Sequence, residues 1–358
     1  MVTNVQRRDA SRLGCYMLPG GVKDPTAAIE RSRKAERLGL GTAWLSERFD
    51  TKDLPALAGA LSQTTNRIEI AAGITPFGLR HPMVLGSMGQ TLQALTKGRF
   101  TLGFGRSASW RWQMYGFPAP TLQSMADTAD ILRRLWAGET VSYKGPAGEF
   151  PSIRMAERAD VPPPPMLMAA VGPKTLELAG RHFDGVILHP FLTTEAVQRS
   201  AKIARDAAAK AGRDPARLRV TATVVVAPGM TPDEAAHAIR ARGAGYFQVS
   251  GLGDMLAKAN QWPDEDLARY RAHPVLAALQ GKPADKLLSR QQLIDISYSM
   301  PEHWIPSSSA SGTPQECARR LHTYMDAGAD DILLHGATPE YLDEMVASFV
   351  AEGEGAAR

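Results

Sequence analysis

Ile68–Gly105 reads IEIAAGITPFGLRHPMVLGSMGQTLQALTKGRFTLGFG. It opens as a buried strand, with Ile68, Ile70 and Ala72 alternating with Glu69 and Ala71. It breaks at Gly73-Ile74-Thr75-Pro76, and Arg80, His81 and Pro82 follow. Pro82 begins a helical pattern that Gly98 stops, just after Lys97. A second apolar run, Phe100–Gly105, then reads as another strand. Two strands joined by a helix of this length imply parallel neighbours and a crossover connection.

The same beat extends in both directions. Strands are expected at 13–18, 42–47, 68–75, 100–105, 165–171, 185–190, 219–228 and 330–336. Helical patterns separate them. One opens on Asp24-Pro25 and stops at Gly39; others cover 53–65, 174–181 and "TEAVQRSAKIARDAAAKAG". Residues 107–164 interrupt the beat with a helix, a small hairpin at "TVSYKGPAGEF" and a four-proline loop. Residues 231–306 are read as mainly helical. Eight βα units in 358 residues favour a (β/α)8 TIM barrel over an open doubly wound sheet. A single domain is expected over 12–350, with insertions at about 107–164 and 245–310 and a disordered arm at 1–11.

Composition narrows the function classes. The net charge is +4, and Lys and Arg are scattered without a run of five or six, which argues against nucleic acid. Cys15 and Cys317 form no CxxC pair, so the expected compartment is a reducing cytoplasm. No run of eighteen apolar residues exists to span a membrane. No HxH, HExxH or DxD cluster points to a metal.

A barrel carries its site at the C-terminal strand ends. Ser46-Glu47-Arg48, the Gly73–Pro76 break, Gly105-Arg106-Ser107, Val171-Gly172-Pro173-Lys174, His189-Pro190 and His335-Gly336 all fall there. Glu47 is a candidate acid or base, or the carboxylate of an ion pair with an arginine at the rim. His189 and His335 are candidates to donate a proton or hydrogen-bond a ligand. His81, at a helix start, is read as structural. Gly172-Pro173-Lys174 opens a helix, and its N–H groups would suit a phosphate; an ordinary turn explains it equally well. The Gly103-x-Gly105 pattern lacks a third glycine, so close packing is favoured over a dinucleotide site. None of the eight strands contains Lys, which disfavours a Schiff-base aldolase.

The chain resembles the bacterial luciferase-like superfamily of flavin- and deazaflavin-dependent oxidoreductases. The resemblance rests on "AERLGLGTAWLSERF", "RIEIAAGITPFGLRHPMVLGSMGQTLQALTKGRFTLGFGRS", "GETVSYKG", "MLMAAVGPKTLELAGRHFDGVILH" and "GTPQECARRLHTYMDAGADDILL". It implies a flavin-like ring at the C-terminal rim, a cis peptide at Gly73–Ile74, and a dimer. It implies that Ile74 presses on the ring and Thr75 hydrogen-bonds near it. Glu47, Thr75 and His189 are the expected contacts of the reacting centre. Gly73, Ile74, Gly105, Arg106, Ser107, Val171, Gly172, Pro173 and Lys174 are the expected cofactor positions. The chain departs from the pattern at Arg48, where many deazaflavin members have His, at Ser107, where Gly is usual, and at Trp110–Trp112. Hydride transfer between coenzyme F420 and a small organic molecule is the activity expected. An FMN-dependent monooxygenase and a non-catalytic flavin-binding barrel are the alternatives.

Overall fold

The structure, a computed structural model, describes residues 9–19, 23–48, 51–107 and 109–356. The described residues form twelve strands: β1 (Leu13–Tyr16), β2 (Thr42–Leu45), β3 (Glu69–Ala72), β4 (Thr75–Pro76), β5 (Phe100–Gly105) and β6 (Val141–Gly145), then β7 (Gly148–Ile153), β8 (Met166–Ala170), β9 (Gly185–Leu188), β10 (Arg219–Pro228), β11 (Ser309–Gly312) and β12 (Asp331–His335). Strands β1, β2, β3, β5, β8, β9, β10 and β12 alternate with helices in the pattern of a (β/α)8 TIM barrel.

The chain forms two compact units. One holds residues 16–187 and 203–219; in it β2, β3, β5, β8 and β9 follow one another as parallel neighbours. Leu45 pairs with Ala72, Ala71 with Thr101, and Phe104 with Met168. Its core includes the fully buried Trp44, Phe100, Phe104 and Phe183, and Phe77 stacks on Phe104 at 4.5 Å. The hairpin β6–β7 lies in the region expected to be an insertion. The other unit holds residues 1–15, 188–202 and 220–358, and its strands run β11-β10-β12-β1. Trp262 and Trp304 stack at 4.6 Å inside it, among the short helices that fill residues 232–307.

Three differences from the sequence expectations bear on the site. The third strand does not run unbroken to Thr75: β3 ends at Ala72, and β4 resumes after Gly73–Ile74 with a different partner, Thr75 opposite Phe104. The second and sixth barrel strands end at Leu45 and Leu188, which puts Glu47 and His189 in the loops beyond them. Strand β11 was not expected, because Ser309-Ala310-Ser311-Gly312 carries no apolar alternation. Residues 1–8 of the expected arm lie outside the described residues, and Ala10–Arg12 form a short 3-10 helix capped by Asp9.

One ionic cluster ties the N-terminal strand ends of the first unit. Both oxygens of Glu69 lie 2.9 Å from Nη1 of Arg219, and the carboxylate also accepts from the hydroxyls of Thr42 and Thr101. Thr42, Glu69 and Arg219 begin β2, β3 and β10, and Thr101 is the second residue of β5, at the barrel end away from the strands' C-termini, where side chains serve stability. Glu69→Ala leaves Arg219 without its anion. It should lower unfolding free energy by about 2 kcal/mol in urea titrations.

Candidate active site

The break after β3 is built by close packing on both sides. The Gly73–Ile74 peptide bond is cis, as the resemblance implies. The Gly73 amide donates to the Leu45 carbonyl at 2.7 Å, and the Tyr16 hydroxyl donates to the Gly73 carbonyl at 2.9 Å. A Cβ at Gly73 would stand 2.8 Å from Cε3 of buried Trp44. Ile74 is half-buried, and its side chain occupies the space beside Gly105, where an added Cβ would meet Ile74 carbons at 2.8 Å. The two glycines therefore let the chain approach Trp44 on one side and Ile74 settle on the other.

Glu47 fastens this arrangement. Its amide donates to the Ile74 carbonyl at 3.1 Å. Its carboxylate, only 2 % exposed, is gripped by both terminal nitrogens of Arg80, one of them at 2.7 Å. The fully buried Thr75 donates its hydroxyl to the same carboxylate and accepts from Arg80 at 3.2 Å. The Glu47 carboxylate raises the pKa of Arg80, so the guanidinium stays charged. The second oxygen of Asp53 lies 3.7 Å from Arg80, while the first caps the helix Leu54–Ser62. Arginine's planar fork matches two carboxylate oxygens at once. The ion pair foreseen from sequence was a rim contact of little worth; the structure buries it. Arg80 and Thr75 together occupy both oxygens, so the arrangement holds the Glu47 side chain still.

Lys52 is a second buried cation in this region. Its Nζ donates to the Leu18 carbonyl at 2.5 Å and to Oγ of Ser46 at 3.2 Å. Burial, with the nearby charge of Arg48, pushes its pKa down to about 8. His81 caps the helix Pro82–Leu95, its Nδ1 accepting from the Met83 amide at 3.1 Å.

The remaining expected cofactor positions line the adjoining strand ends. Gly105 ends β5 and pairs with Pro76. Arg106 is exposed, and its carbonyl accepts from Nε1 of buried Trp112 at 2.7 Å. Ser107 takes φ of +61°, the left-handed value that suits the glycine usual there in the family. β8 neighbours β5, and it leads through half-buried Val171 and Gly172 into the helix Pro173–His182. Gly172 is the N-cap in an extended conformation, and no side chain caps the first turn. Pro173 and Lys174 are exposed. An uncapped helix start beside a lysine suits an anion. The half-exposed Ile74 and this helix start fit a flat ring with an anionic tail.

His189 belongs to the other compact unit. It is half-buried, its Nδ1 is 2.9 Å from the Pro190 carbonyl, and Tyr246 meets its ring edge-on at 5.1 Å. Burial pushes its pKa from 6.5 down to about 4, against the pull of the Pro190 carbonyl. The imidazole is neutral at pH 7.

Glu47, Thr75, Gly73, Ile74 and Gly105 are thus brought together. Arg80 was not foreseen as the partner of Glu47, nor Lys52 as a buried cation. The "RHP" motif was the available signal for Arg80, and nothing local marks Lys52.

These features define a barrel with a braced, apolar ledge at the end of its third strand and an anion-ready helix start two strands along. The profile of the family described as luciferase-like monooxygenase matches residues 8–331, and the chain belongs to that family. The chain is 28 % identical over 317 residues to a 5,10-methylenetetrahydromethanopterin reductase of Methanolobus tindarius, covering 87 % of this chain and 90 % of the relative. It is 24 % identical over 330 residues to an F420-dependent glucose-6-phosphate dehydrogenase of Amycolatopsis mediterranei, covering 87 % and 89 %. The solved coenzyme F420-dependent tetrahydromethanopterin reductase of Methanopyrus kandleri superposes with a TM-score of 0.74 at 18 % identity, over 95 % of this chain and 99 % of that one, a likeness of fold. The protein is an oxidoreductase enzyme.

Arg80→Met strands a buried carboxylate and should destabilise the protein by about 3 kcal/mol, with Arg80→Lys intermediate. A loss under about 1 kcal/mol by chemical denaturation would place the pair among surface ion pairs. His189 has a folded pKa below its unfolded one. Its contribution to stability is therefore complete above pH 6.5 and is lost as pH falls toward about 4. His189→Gln should lose less thermal stability between pH 7 and pH 5 than the wild type; equal losses would contradict the assignment.

Proposed function

We propose that the enzyme transfers a hydride between the deazaflavin coenzyme F420 and a small organic substrate. The observation that carries this reading is the Ile74 ledge, apolar, half-exposed and braced from behind by the buried Glu47–Arg80–Thr75 cluster. The F420-dependent activity of the Amycolatopsis relative supports the choice of coenzyme. When bound, F420 supplies a two-electron hydride carrier that reacts poorly with oxygen.

The chain's own residues bind, orient and exclude water. Ile74 supports one face of the ring; Gly73 admits Trp44 behind the ledge and Gly105 admits Ile74 itself, so both glycines set where the ledge stands. Ser107 turns the chain away after β5. Gly172, Pro173 and Lys174 hold the phosphate at the helix start, with Val171 and Arg106 beside it. Glu47 and Thr75 keep the ledge at a fixed height. His189, neutral near pH 7, hydrogen-bonds a substrate oxygen as donor or acceptor. The family's description as monooxygenases supports a second reading, in which FMN replaces F420 and oxygen is the co-substrate.

The discriminating experiment titrates the cofactor-free protein with F420 and FMN in parallel, following fluorescence quenching. Micromolar F420 binding with much weaker FMN binding is expected. Preference for FMN moves the assignment to the monooxygenase, and binding without turnover of any acceptor leaves a flavin-binding barrel.

The partner proposed is a second copy of this chain. The adjacent helices Leu54–Ser62 and Pro82–Leu95 contain no charged residue, although Val84 and Leu95 are well exposed. Outer barrel helices normally show a charged face, as Thr194–Lys210 does. A homodimer would cover this surface. Sedimentation should show a dimer that Val84→Glu converts to monomer; a wild-type monomer would overturn it. Among the described residues no helix is long and apolar enough to cross a membrane. The buried, unbridged Cys15 and Cys317 support placement in the cytoplasm.

A further inference from the structure

The loop after β9 contains a backbone conformation that its own sequence does not favour. Phe191 is fully buried, yet its φ is +65°, a left-handed value rare for a bulky side chain. Such conformations persist where surrounding groups impose them, and they cluster at functional sites.

The imposing group comes from far along the chain. Asn260, 7 % exposed, ends the helix Leu252–Asn260. Its Oδ1 accepts from the Thr193 amide at 2.9 Å, and its Nδ2 donates to the Phe191 carbonyl at 2.8 Å. One side-chain amide thus closes on both backbone groups that flank Leu192, which requires a donor and an acceptor on the same planar head. Tyr324 adds a third tie, its hydroxyl donating to the Leu192 carbonyl at 2.9 Å. Asn260 is not spent on ending its own helix. Gln261, left-handed at φ of +59°, does that through its amide and the carbonyls of Ala257 and Lys258.

His189 stands two residues before Phe191. Tyr246 packs its ring at 5.1 Å from His189 and 5.9 Å from Phe191, so the imidazole and the left-handed residue share one wall. Turning Phe191 to an ordinary φ would redirect the chain on both sides and carry His189 off Tyr246.

We infer that Asn260 is the positioning residue for His189: its paired hydrogen bonds fix the left-handed Phe191 and so hold the imidazole edge-on to Tyr246. This rests on the role given above to His189 as a hydrogen-bonding partner of the substrate. It adds a residue from the 245–310 insertion that no motif marks.

The test uses the full-length protein with 13Cε1-labelled histidine, the His189 resonance being assigned with His189→Gln. Asn260→Leu removes both hydrogen bonds at similar volume; Asn260→Asp keeps the acceptor for Thr193 and loses the donor to Phe191. In Asn260→Leu the His189 titration should rise toward the ordinary value near 6.5, and the Thr193 amide should exchange roughly 100-fold faster. Asn260→Asp should fall between it and the wild type, and it supplies the answer if Asn260→Leu does not fold. F420 affinity should stay at the wild-type level in both. A folded variant whose His189 titration and amide exchange match the wild type overturns the inference. A wild-type protein that binds neither F420 nor FMN defeats the proposed function, while the imidazole titration still decides the role of Asn260.

Discussion

The buried ion pair between Glu47 and Arg80 is the constraint on which the candidate site depends. A carboxylate 2 % exposed carries a large desolvation cost, and the bidentate guanidinium together with the Thr75 hydroxyl offsets it. The three groups come from the loop after β2, from β4 and from the segment before the helix Pro82–Leu95. Pairing them fixes where the chain runs between β3 and β4. The Glu47 amide then meets the Ile74 carbonyl, and Ile74 settles over Gly105. The ledge is a consequence of electrostatics behind it as much as of apolar packing beside it.

Glu47 and His189, which belong to different compact units, have opposite surroundings. Glu47 is held in place by the Arg80 guanidinium and the Thr75 hydroxyl, which occupy both its oxygens. His189 is kept neutral by burial, with an aromatic edge and a backbone carbonyl as its neighbours. In the proposed reaction the cofactor would carry the electrons, and the protein would supply shape and fixed dipoles.

Much of this was legible in the sequence because the signals were local. Phe100–Gly105 was bounded correctly at both ends, since Gly98 stops one element and the apolar run defines the next. The Gly-Ile-Thr-Pro break was visible because glycine and proline punctuate an otherwise continuous strand. What was not legible depends on partners far apart in the chain. Arg80 lies 33 residues from Glu47, and Asn260 lies 67 from Thr193. A solvated arginine and one locked on a buried carboxylate look alike in a sequence, and so do a surface asparagine and one clamping a loop. Strand β11 was missed for a different reason: Ser309–Gly312 is held by its register with Val225–Pro228 and not by its own propensity.

A crystal structure of the protein with F420 bound would test the central claim most directly. The account predicts the deazaflavin ring in van der Waals contact with Ile74, Gly105 beneath its edge, and the Glu47–Arg80 pair unbroken behind it. A ring bound away from Ile74, or one that draws Glu47 off Arg80 to contact it, would contradict the account.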